Sequence, residues 1–486
     1  MNVADIVATR AQRSPRAPAF LKGDWGLSNA QAAAAVEHVA SILHGHGLRA
    51  GDLVALSAKV NPVASVLAIL GLARLGAILV PILPSTNEEK RSLIAEHFKL
   101  AGIITGAADP GAGAVRRIVV DSGWLKPGAA KKAVPRDAGG EHTWIITLTS
   151  GTTGAPKGVP RTHESFLKVA KLQNSLARLK PDARFLSFMD MHNGPAIKRT
   201  LRHLAYGGPV VFLAAKFPGS KLPIDEHRVT HVYASPAMMQ KWLEVRPRGR
   251  PVFKTVEQLV VGTGAVSPAL GREIVERITP HLFLNYGTTE TGSAALLDPE
   301  TRNRHPGATG RIVPWVEAQI VDENDQPLPA GQPGMIRFRG EGVARSYWGV
   351  ESGQASEQRG FRHGWFYPGD AARIEAGGLL YVEGRIDDII NLDGPKVNAV
   401  EVEGILARHP SVREAAVFGA RAGNGQPCFV AAVAVRGAFD ASALVQHYAE
   451  QGGKYKHQLR LVQVDQLPRS GAGKVVKHDL KRMTGF

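Results

Sequence analysis

The sequence predicts an α/β protein with at least two domains. Its 486 residues are too many for one hydrophobic core, because single cores stop growing beyond roughly 250–300 residues. Helix-like and strand-like segments alternate over residues 30 to 140 and again over residues 184 to 290, a rhythm typical of parallel sheets covered by helices. After about residue 310 the pattern changes to short strands separated by Gly, Pro and Asp turns, which predicts a small antiparallel barrel or sheet.

The first alternating region predicts helix, strand, helix and strand in quick succession. Residues 32 to 45 form an amphipathic pattern that ends at a glycine, where helices commonly stop. D-L-V-A-L-S is typical of a strand, and residues 62 to 74 and 77 to 83 predict the next helix and strand. The most apolar run, residues 66 to 83, contains Arg74, so we interpret it as a buried helix leading into a strand and not as a membrane span.

The later regions continue the pattern with short strands. The strands expected in the second alternating region are F-L-S-F-M, V-V-F-L, H-V-Y-A-S and Q-L-V-V-G, and those expected in the β-rich region are E-A-Q-I-V-D, G-M-I-R-F-R-G and G-L-L-Y-V-E-G. The last segment predicts helices near 399–408 and 441–451 and strands near 414–419 and 427–436. We expect a domain boundary close to Asp387, where G-R-I-D-D ends the β-rich region.

The composition excludes some kinds of site and favours anionic partners. Cys428 is the single cysteine, so an internal disulfide and a cysteine zinc cluster are excluded, and a reducing compartment such as the cytoplasm is expected. The sequence opens without a basic segment and apolar core, so we expect no signal peptide. The net charge of +16 suits a phosphorylated small molecule, an acidic protein, nucleic acid or a membrane surface. Because the basic residues are dispersed, we do not expect specific nucleic-acid binding.

A loop rich in Gly, Ser and Thr follows the strand-like run W-I-I-T-L. It includes T-S-G-T-T-G-A-P-K, residues 149 to 157. Glycines let the backbone approach a ligand closely, and exposed N–H groups with short hydroxyls bind phosphate. Lys157 adds a mobile positive charge. The spacing is not that of a Walker A loop, which needs G-x-x-x-x-G-K-[ST], and an ordinary flexible loop has a similar composition.

Further polar clusters strengthen the nucleotide interpretation. N-Y-G-T-T-E, residues 285 to 290, offers an aromatic ring for a base and a carboxylate for a hard cation such as Mg²⁺. G-W-F-Y-P-G-D, residues 364 to 370, places a carboxylate beside glycines, which suits vicinal ribose hydroxyls. G-R-I-D-D-I-I-N-L-D-G begins at residue 384, and P-R-S-G-A-G-K ends at Lys474. Alone, Asp370, Arg385 or Lys474 could equally be surface residues.

Together these motifs resemble the adenylate-forming superfamily, which contains acyl-CoA and aryl-CoA synthetases, firefly luciferase and the adenylation domains of peptide synthetases. T-S-G-T-T-G-A-P-K-G, Y-G-T-T-E, W-F-Y-P-G-D, G-R-I-D-D and P-R-S-G-A-G-K stand in that family's order and approximate spacing, from roughly Leu27 to Lys481. The resemblance implies ATP and Mg²⁺ as cofactors and a carboxylic acid as substrate. The reaction gives an acyl-adenylate and pyrophosphate, followed by acyl transfer to the thiol of coenzyme A.

The resemblance also implies the architecture. Residues 1–386 would form a large N-terminal domain of two helix-covered mixed or parallel sheets plus a small β-barrel subdomain. Residues 387–486 would form a small mobile α+β C-terminal domain. Asp387 would be the hinge about which this domain rotates after adenylation, and Gly394 would line the tunnel for the pantetheine arm.

Site residues follow from the same resemblance. The expected ATP contacts are Thr149, Ser150, Gly151, Thr152, Thr153, Gly154 and Lys157 at the β- and γ-phosphates, Thr289 at the α-phosphate, Tyr286, Gly264 and Ala265 at adenine, and Asp370 and Arg385 at the ribose. The expected Mg²⁺ contacts are Thr149 and Glu290. Lys474 would bridge the attacking carboxylate and the α-phosphate, where added negative charge in the transition state favours a cation.

The acid pocket is expected at residues 189 to 204. His192-Asn193-Gly194-Pro195 is similar to the H-N-x-P of aryl-acid AMP ligases, and P-R-T-H at 160 to 163 also resembles that branch. We expect His192, Asn193 and Lys198 to line the pocket, which favours a short polar or aromatic acid over a long fatty acid. A solvated basic face containing Lys198 is the alternative interpretation.

Two acceptors remain possible, coenzyme A and a carrier protein. A third interpretation is a protein of this fold that binds nucleotide and catalyses no reaction. Many CoA ligases have two glycines where this chain has Asp393-Gly394. An acyl or peptidyl carrier protein bearing phosphopantetheine is therefore the alternative acceptor, and the basic C-terminal tail would suit an acidic carrier. We expect a monomer or a homodimer.

Overall fold

The computed structural model describes residues 1–109, 111–126, 139–149, 156–177, 179–213, 223–245, 252–350, 360–469 and 475–486, without the side chains of Asp387 and Ile389. The helices are α1 Asp5–Arg13, α2 Asn29–Gly45, α3 Pro62–Leu75, α4 Glu88–His97, α5 His163–Ala177, α6 Gly194–Tyr206, α7 Pro236–Val245, α8 Pro268–Arg277, α9 Pro299–Arg304, α10 Ala399–Leu406, α11 Ala441–Glu450 and α12 Lys477–Thr484. The strands are β1 Pro18–Lys22, β2 Trp25–Ser28, β3 Leu53–Leu56, β4 Ile78–Pro81, β5 Gly102–Thr105, β6 Arg117–Val119, β7 Thr143–Thr149, β8 Lys157–Thr162, β9 Phe185–Ser187, β10 Val210–Val211, β11 His231–Ala234, β12 Gln258–Val261, β13 Leu282–Tyr286, β14 Ala295–Leu297, β15 Gly310–Ile312, β16 Val316–Val321, β17 Gly334–Gly340, β18 Phe361–Arg362, β19 Trp365–Phe366, β20 Asp370–Glu375, β21 Leu379–Arg385, β22 Ile389–Asn391, β23 Lys396–Asn398, β24 Val412–Arg421, β25 Pro427–Val435 and β26 Leu459–Gln463.

The first sheet has the strand order β6-β5-β3-β4-β7-β8. Its strands run parallel except for β8, which pairs with β7 in the antiparallel direction. The apolar run of the sequence forms α3 and β4, as predicted, and α3 is buried on nearly every side. This helix begins where the Asn61 side chain accepts a hydrogen bond from the Val63 N–H, and it ends at Gly76 with φ 82°, a conformation that favours glycine.

The second sheet joins parallel strands to the antiparallel β-rich region. Strands β1, β10, β9, β11, β12 and β13 lie side by side in parallel. The antiparallel strands continue from β13 through β14 and β15 to β21, β20 and β17. The small β-rich subdomain is therefore hydrogen-bonded to the edge of the large sheet.

The C-terminal part has its own sheet and core. Strands β22 and β23 form a hairpin, and β24, β25 and β26 form a three-stranded sheet. The core between this sheet and α10 and α11 includes Val402, Phe429 and Leu444. The predicted α/β class is confirmed, with a large N-terminal part and a small C-terminal part. The division at residue 387 remains a prediction; β21 ends at Arg385 and β22 begins at Ile389.

The carboxyl ends of the parallel strands meet at one place. Strands β7, β12 and β13 end at Thr149, Val261 and Tyr286, and residues at or just after these ends line a shared cavity. Clefts at this edge of a parallel sheet are where ligands bind in open α/β folds. Among the described helices, none combines the length and apolar character needed to cross a bilayer.

Candidate active site

A cavity of about 1770 Å³ lies at these strand ends. Most of its wall comes from the N-terminal part, and Asp388, Val400 and Gly404 close it from the C-terminal part. The sequence-predicted residues that line it are Thr149, His192, Asn193, Lys198, Gly264, Ala265, Tyr286, Thr289, Asp370 and Arg385. Residues separated by more than 200 positions in the sequence therefore line the same cavity.

Tyr286, Asp370 and Arg385 form a compact group on this wall. The Tyr286 hydroxyl donates to Asp370 Oδ2 at 2.5 Å, and Arg385 Nη1 lies 3.3 Å from Asp370 Oδ1. Burial and then the Asp370 charge raise the pKa of Tyr286 well above its ordinary value, so the hydroxyl keeps its proton and donates. Asp370 is 6% exposed and presents a carboxylate to the cavity, as a ribose site requires.

The Y-G-T-T-E-T-G segment forms a tight turn after β13. The Thr288 hydroxyl accepts from the Glu290 and Thr291 N–H groups, and the Thr288 N–H donates to Thr291 Oγ1 at 2.9 Å. A Cβ at Gly287 would lie 1.7 Å from the Gly292 carbonyl oxygen, so only glycine fits there. This turn holds Thr289 on the cavity wall.

Glu290 lies just behind the wall and is held by three residues. Its Oε1 accepts from the Tyr347 hydroxyl at 3.0 Å. Its backbone oxygen accepts from Arg161 Nη2 at 2.7 Å and from the Ala344 N–H at 2.8 Å. Burial lowers the pKa of Arg161 to about 10, opposed by the Glu290 charge, so Arg161 stays charged. The P-R-T-H motif did not indicate a role for Arg161 in the site. Tyr347 was not predicted, because it lies outside every motif.

A divalent cation could be held only with help from a ligand. No group of three or more His, Cys, Asp and Glu side chains in the described part of the chain is placed to bind a metal. Glu290 supplies one carboxylate with one oxygen already bonded to Tyr347, and Thr149 supplies a hydroxyl on the cavity wall. This donor set fits Mg²⁺, which usually takes one or two protein carboxylates and completes its shell with phosphate oxygens and water.

The structure describes the residues that flank the Gly-rich loop. Thr149 pairs with Lys157 across β7 and β8, and Thr149 lines the cavity. Lys157 Nζ lies 4.8 Å from the centre of the Tyr347 ring. The predictions for Ser150, Gly151, Thr152, Thr153 and Gly154 and for Lys474 fall outside the described residues.

The hinge and tunnel predictions fall on the C-terminal part. The backbone of Asp387 lies in a short 3₁₀ turn, Ile386–Asp388. Gly394 lies at the exposed tip of the β22–β23 hairpin with φ 136°, and its N–H donates to Asn391 Oδ1. Unlike Asp388, Gly394 is absent from the cavity wall.

His192 and Asn193 lead into α6 at the far wall. His192 Nε2 accepts from the Ala58 N–H at 3.1 Å, and burial lowers the pKa of His192 to about 4, so the imidazole is neutral and its Nδ1 carries the proton. No described residue accepts from that Nδ1. Asn193 Oδ1 accepts from the Ala196 N–H at 3.2 Å and begins the helix, which leaves its amide NH₂ as a donor.

The basic residues of α6 face inward. Lys198 and Arg199 line the cavity, and Arg202 is 5% exposed, so this is not a solvated basic face. Arg199 Nη2 bonds to Asn285 Oδ1 at 3.2 Å, and its guanidinium lies 4.6 Å from the centre of the Tyr233 ring. The Lys198 ammonium has no hydrogen-bond or ion-pair partner among the residues that the structure describes.

The pKa of Lys198 is lowered to near neutral pH. Burial, followed by the Arg161 charge, lowers the pKa of Lys198 to about 7, and Glu290 acts in the opposite direction. The ammonium lies deep in the protein, yet its side chain is only half-buried because the cavity reaches it. The Lys198 ammonium can therefore meet an anionic ligand in the cavity.

Comparison with known proteins identifies the family. The model described as AMP-binding enzyme matches residues 7–348, and the model described as AMP-binding enzyme C-terminal domain matches residues 401–474. The indoleacetate–CoA ligase of Aromatoleum aromaticum is 29% identical, with 99% of this chain and 98% of the relative covered. The salicyl-AMP ligase / salicyl-S-ArCP synthetase of Mycobacterium tuberculosis is 28% identical, with 96% and 86% covered.

A solved relative shares the arrangement of both parts. O-succinylbenzoate coenzyme A synthetase from Bacillus subtilis, in complex with ATP and magnesium ion, matches with a TM-score of 0.88 at 26% identity, covering 98% of this chain and 99% of that chain. A double mutant of that enzyme bound to a product analogue matches at 0.72, with 26% identity and 98% of each chain covered. Family models match both the large and the small part of the chain. The chain therefore belongs to the AMP-binding enzyme family, that is, to the adenylate-forming superfamily.

Proposed function

We propose that this protein activates a short polar or aromatic carboxylic acid with ATP and transfers the acyl group to coenzyme A. It is an AMP-forming acid–thiol ligase, which uses ATP, Mg²⁺ and coenzyme A. The observation that carries the proposal of a polar acid is one cavity lined by Asp370 and Tyr286, by the Thr289 turn and, on α6, by Lys198.

Adenylation would use the two ends of this cavity. Asp370 accepts from the ribose hydroxyls, the Tyr286 ring lies against adenine, and Thr289 contacts the α-phosphate. A carboxylate oxygen of the acid attacks the α-phosphorus, the new C–O–P link forms, and the bond to pyrophosphate breaks. Lys474 would stabilise the negative charge that grows on the α-phosphate, a role in which a single donor or cation is typically worth ~10²–10³ in rate.

The acid would lie against α6 at the other end of the cavity. The Asn193 amide and the Nδ1–H of neutral His192 are donors without a described acceptor, and Lys198 adds a positive charge. A pocket built to bond a polar substituent rejects analogues lacking it by up to ~10⁴-fold, whereas an apolar slot distinguishes one methylene by only ~10–200-fold. These donors favour a polar or anionic substituent near the reacting carboxylate.

The C-terminal part would serve both half-reactions. The superposition is better on the ATP complex of the relative than on its product-analogue complex, with TM-scores of 0.88 and 0.72. The exposed position of Gly394 agrees with that difference, since a pantetheine tunnel must reach the cavity. We therefore propose that the described arrangement is the adenylating one, and that rotation about Asp387 brings Gly394 to the cavity afterwards.

A pantetheinylated carrier protein is the second candidate acceptor. The similarity to a salicyl-AMP ligase and the H-N-x-P pattern support it, as does the tail from Lys454 to Phe486, which has eight Lys or Arg and two Asp. Coenzyme A also carries phosphates, so charge does not decide between them. Turnover with coenzyme A against turnover with a pantetheinylated carrier separates the two acceptors.

ATP–pyrophosphate exchange across a panel of carboxylic acids tests the proposal. We expect strong exchange with a short polar or aromatic acid and weak exchange with palmitate. Strong exchange with palmitate would contradict the polar pocket. An absence of acid-dependent exchange across the panel would contradict the proposed activation step.

A further inference from the structure

Tyr347 connects Glu290 and Lys157, which the family resemblance implies are at the metal and at the phosphates. Its hydroxyl donates to Glu290 Oε1 at 3.0 Å, and its ring lies beneath Lys157 Nζ, 4.8 Å from the ring centre. Tyr347 is 8% exposed and lies outside every motif that pointed to nucleotide binding. A single side chain therefore bridges the Glu290 turn and the end of the Gly-rich loop.

The surroundings hold this tyrosine in one place. Its ring packs edge-on against Phe361, with centroids 5.1 Å apart and an angle of 82°. On one side of it in the chain, the Ala344 N–H donates to the Glu290 carbonyl, and on the other side the Trp348 N–H donates to the Gly158 carbonyl, both at 2.8 Å. These backbone bonds and the contact with Phe361 hold the Tyr347 segment against Glu290 and Gly158.

The chemistry of the bond sets what it can do. Burial, followed by the Glu290 charge, raises the pKa of Tyr347 above its ordinary value, so the phenol is protonated and acts as a donor. One O–H···O⁻ bond fixes the rotation of a carboxylate and leaves the other oxygen for a cation. A buried ring beneath an ammonium also attracts it through the negative face of the ring.

We propose that Tyr347 is a positioning residue for the pyrophosphate half of the site. Its hydroxyl holds the Glu290 carboxylate in the orientation that receives the metal of the metal–ATP complex, and its ring holds Lys157 beside the phosphates. The inference rests on the proposed use of ATP and Mg²⁺, with Glu290 assigned to the metal and Lys157 to the phosphates.

Two variants at this position separate the two contacts. Tyr347→Phe removes only the hydroxyl, and Tyr347→Leu also removes the ring. Tyr448→Phe is the matched control, because Tyr448 is a buried tyrosine of the C-terminal core whose hydroxyl donates to the Lys454 carbonyl at 2.8 Å. The probes are Mn²⁺ in the presence of ATP, followed by its electron paramagnetic resonance signal, and ATP without metal, followed by calorimetry.

We expect Tyr347→Phe to weaken Mn²⁺ binding by roughly 10–100-fold, the usual effect of losing a residue that orients a metal ligand. Metal-free ATP should bind this variant within about twofold of the unmodified protein, since the cation–π contact is retained. Tyr347→Leu should in addition weaken the binding of metal-free ATP by about two- to fivefold, because the ring is lost as well. Tyr448→Phe should leave both affinities unchanged.

Two results would overturn the inference. Unchanged Mn²⁺ affinity in Tyr347→Phe would show that the hydroxyl does not orient the metal ligand. An equal loss of Mn²⁺ and metal-free ATP binding would show a general structural defect instead of a positioning role. Neither measurement needs the carboxylic acid, so failure of the proposed function would appear separately, as absent acid-dependent exchange in the unmodified protein.

Discussion

Lys198 is the residue on which we propose that the choice of acid depends. A buried ammonium without a carboxylate partner is costly, and Arg161 beside it increases that cost. Arg199, the neighbouring cation, is already bonded to Asn285 and stacked on Tyr233. The charge of Lys198, which has no hydrogen-bond or ion-pair partner among the described residues, is therefore available to an anionic or strongly accepting group of the substrate.

Replacing Lys198 by methionine tests this assignment. Lys198→Met keeps the length of the side chain and removes the charge, so kcat/KM for the best acid should fall by more than about tenfold, consistent with loss of a hydrogen bond to a charged group. KM for ATP should change little. The exposed Lys241 gives the control Lys241→Met, which should behave like the unmodified protein. Equal kinetics in both variants would remove Lys198 from the acid pocket.

The lowered pKa of Lys198 predicts a pH dependence. With a pKa of about 7, the ammonium is present below that pH and is lost as the pH rises through it. Because kcat/KM reports ionisations of the free enzyme, kcat/KM for the acid should decrease above about pH 7 in the unmodified protein. Lys198→Arg keeps its charge and should lack this decrease. Parallel profiles of the two proteins would contradict a titrating Lys198.

The turn after β13 is the element that joins the positions we propose for the base, the α-phosphate and the metal. Tyr286 ends the strand, Thr289 lies on the cavity wall, and Glu290 is held behind it. The turn closes only because Gly287 lacks a Cβ and the Gly292 carbonyl occupies that space. The geometry of this part of the cavity therefore depends on a residue without a side chain.

Gly287→Ala should open this turn. The new Cβ would fall 1.7 Å from the Gly292 carbonyl oxygen, and main-chain atoms must shift to relieve the contact. We expect weaker ATP binding and a lower Tm. Gly45→Ala is the control, because a Cβ there meets nothing within 4 Å and alanine is favourable in a helix. ATP affinity and Tm unchanged in Gly287→Ala would show that the turn is not tightly closed in solution.

Much of the fold could be predicted from the sequence, because its signals are local. In the apolar run that forms α3 and β4, the periodicity and the terminal residues lie within the run itself. The predicted bounds of α10, β24, β25 and α11 agree with the structure to within a few residues. The pairing of β15 with β21 could not be predicted, since it joins residues about seventy apart through backbone bonds alone. The Tyr347–Glu290 bond was missed for the same reason, with 57 residues between the partners.

The site shows the same division between local and distant signals. The resemblance implied that Arg385 would lie near Asp370, and the structure places Arg385 Nη1 3.3 Å from Asp370 Oδ1. The hydrogen bond from Tyr286 to Asp370 was not predicted. The inward direction of Lys198 and Arg199 depends on how α6 packs against the sheet, and helical spacing alone favoured a solvated face. Arg161 acquired its contact with the Glu290 turn through the antiparallel pairing of β8.

At the scale of the whole molecule, we expect the C-terminal part to present Lys474 to the cavity during adenylation and Gly394 afterwards. Lys474→Ala should abolish adenylate formation and leave thioester formation from a supplied acyl-adenylate largely intact, because the lysine would act only in the adenylating arrangement. The two half-reactions are measured separately by pyrophosphate release and by thioester formation. An equal loss in both would rule out the two-arrangement account.

The central claim is that a carboxylate oxygen of the substrate attacks the α-phosphorus of ATP in this cavity. An acid labelled with ¹⁸O in its carboxylate tests it directly, because transfer of the acyl group to the thiol leaves one carboxylate oxygen behind on the nucleotide. Mass spectrometry of the products should find one ¹⁸O atom in AMP and none in pyrophosphate. Unlabelled AMP, or label in a released phosphate, would contradict activation through an acyl-adenylate.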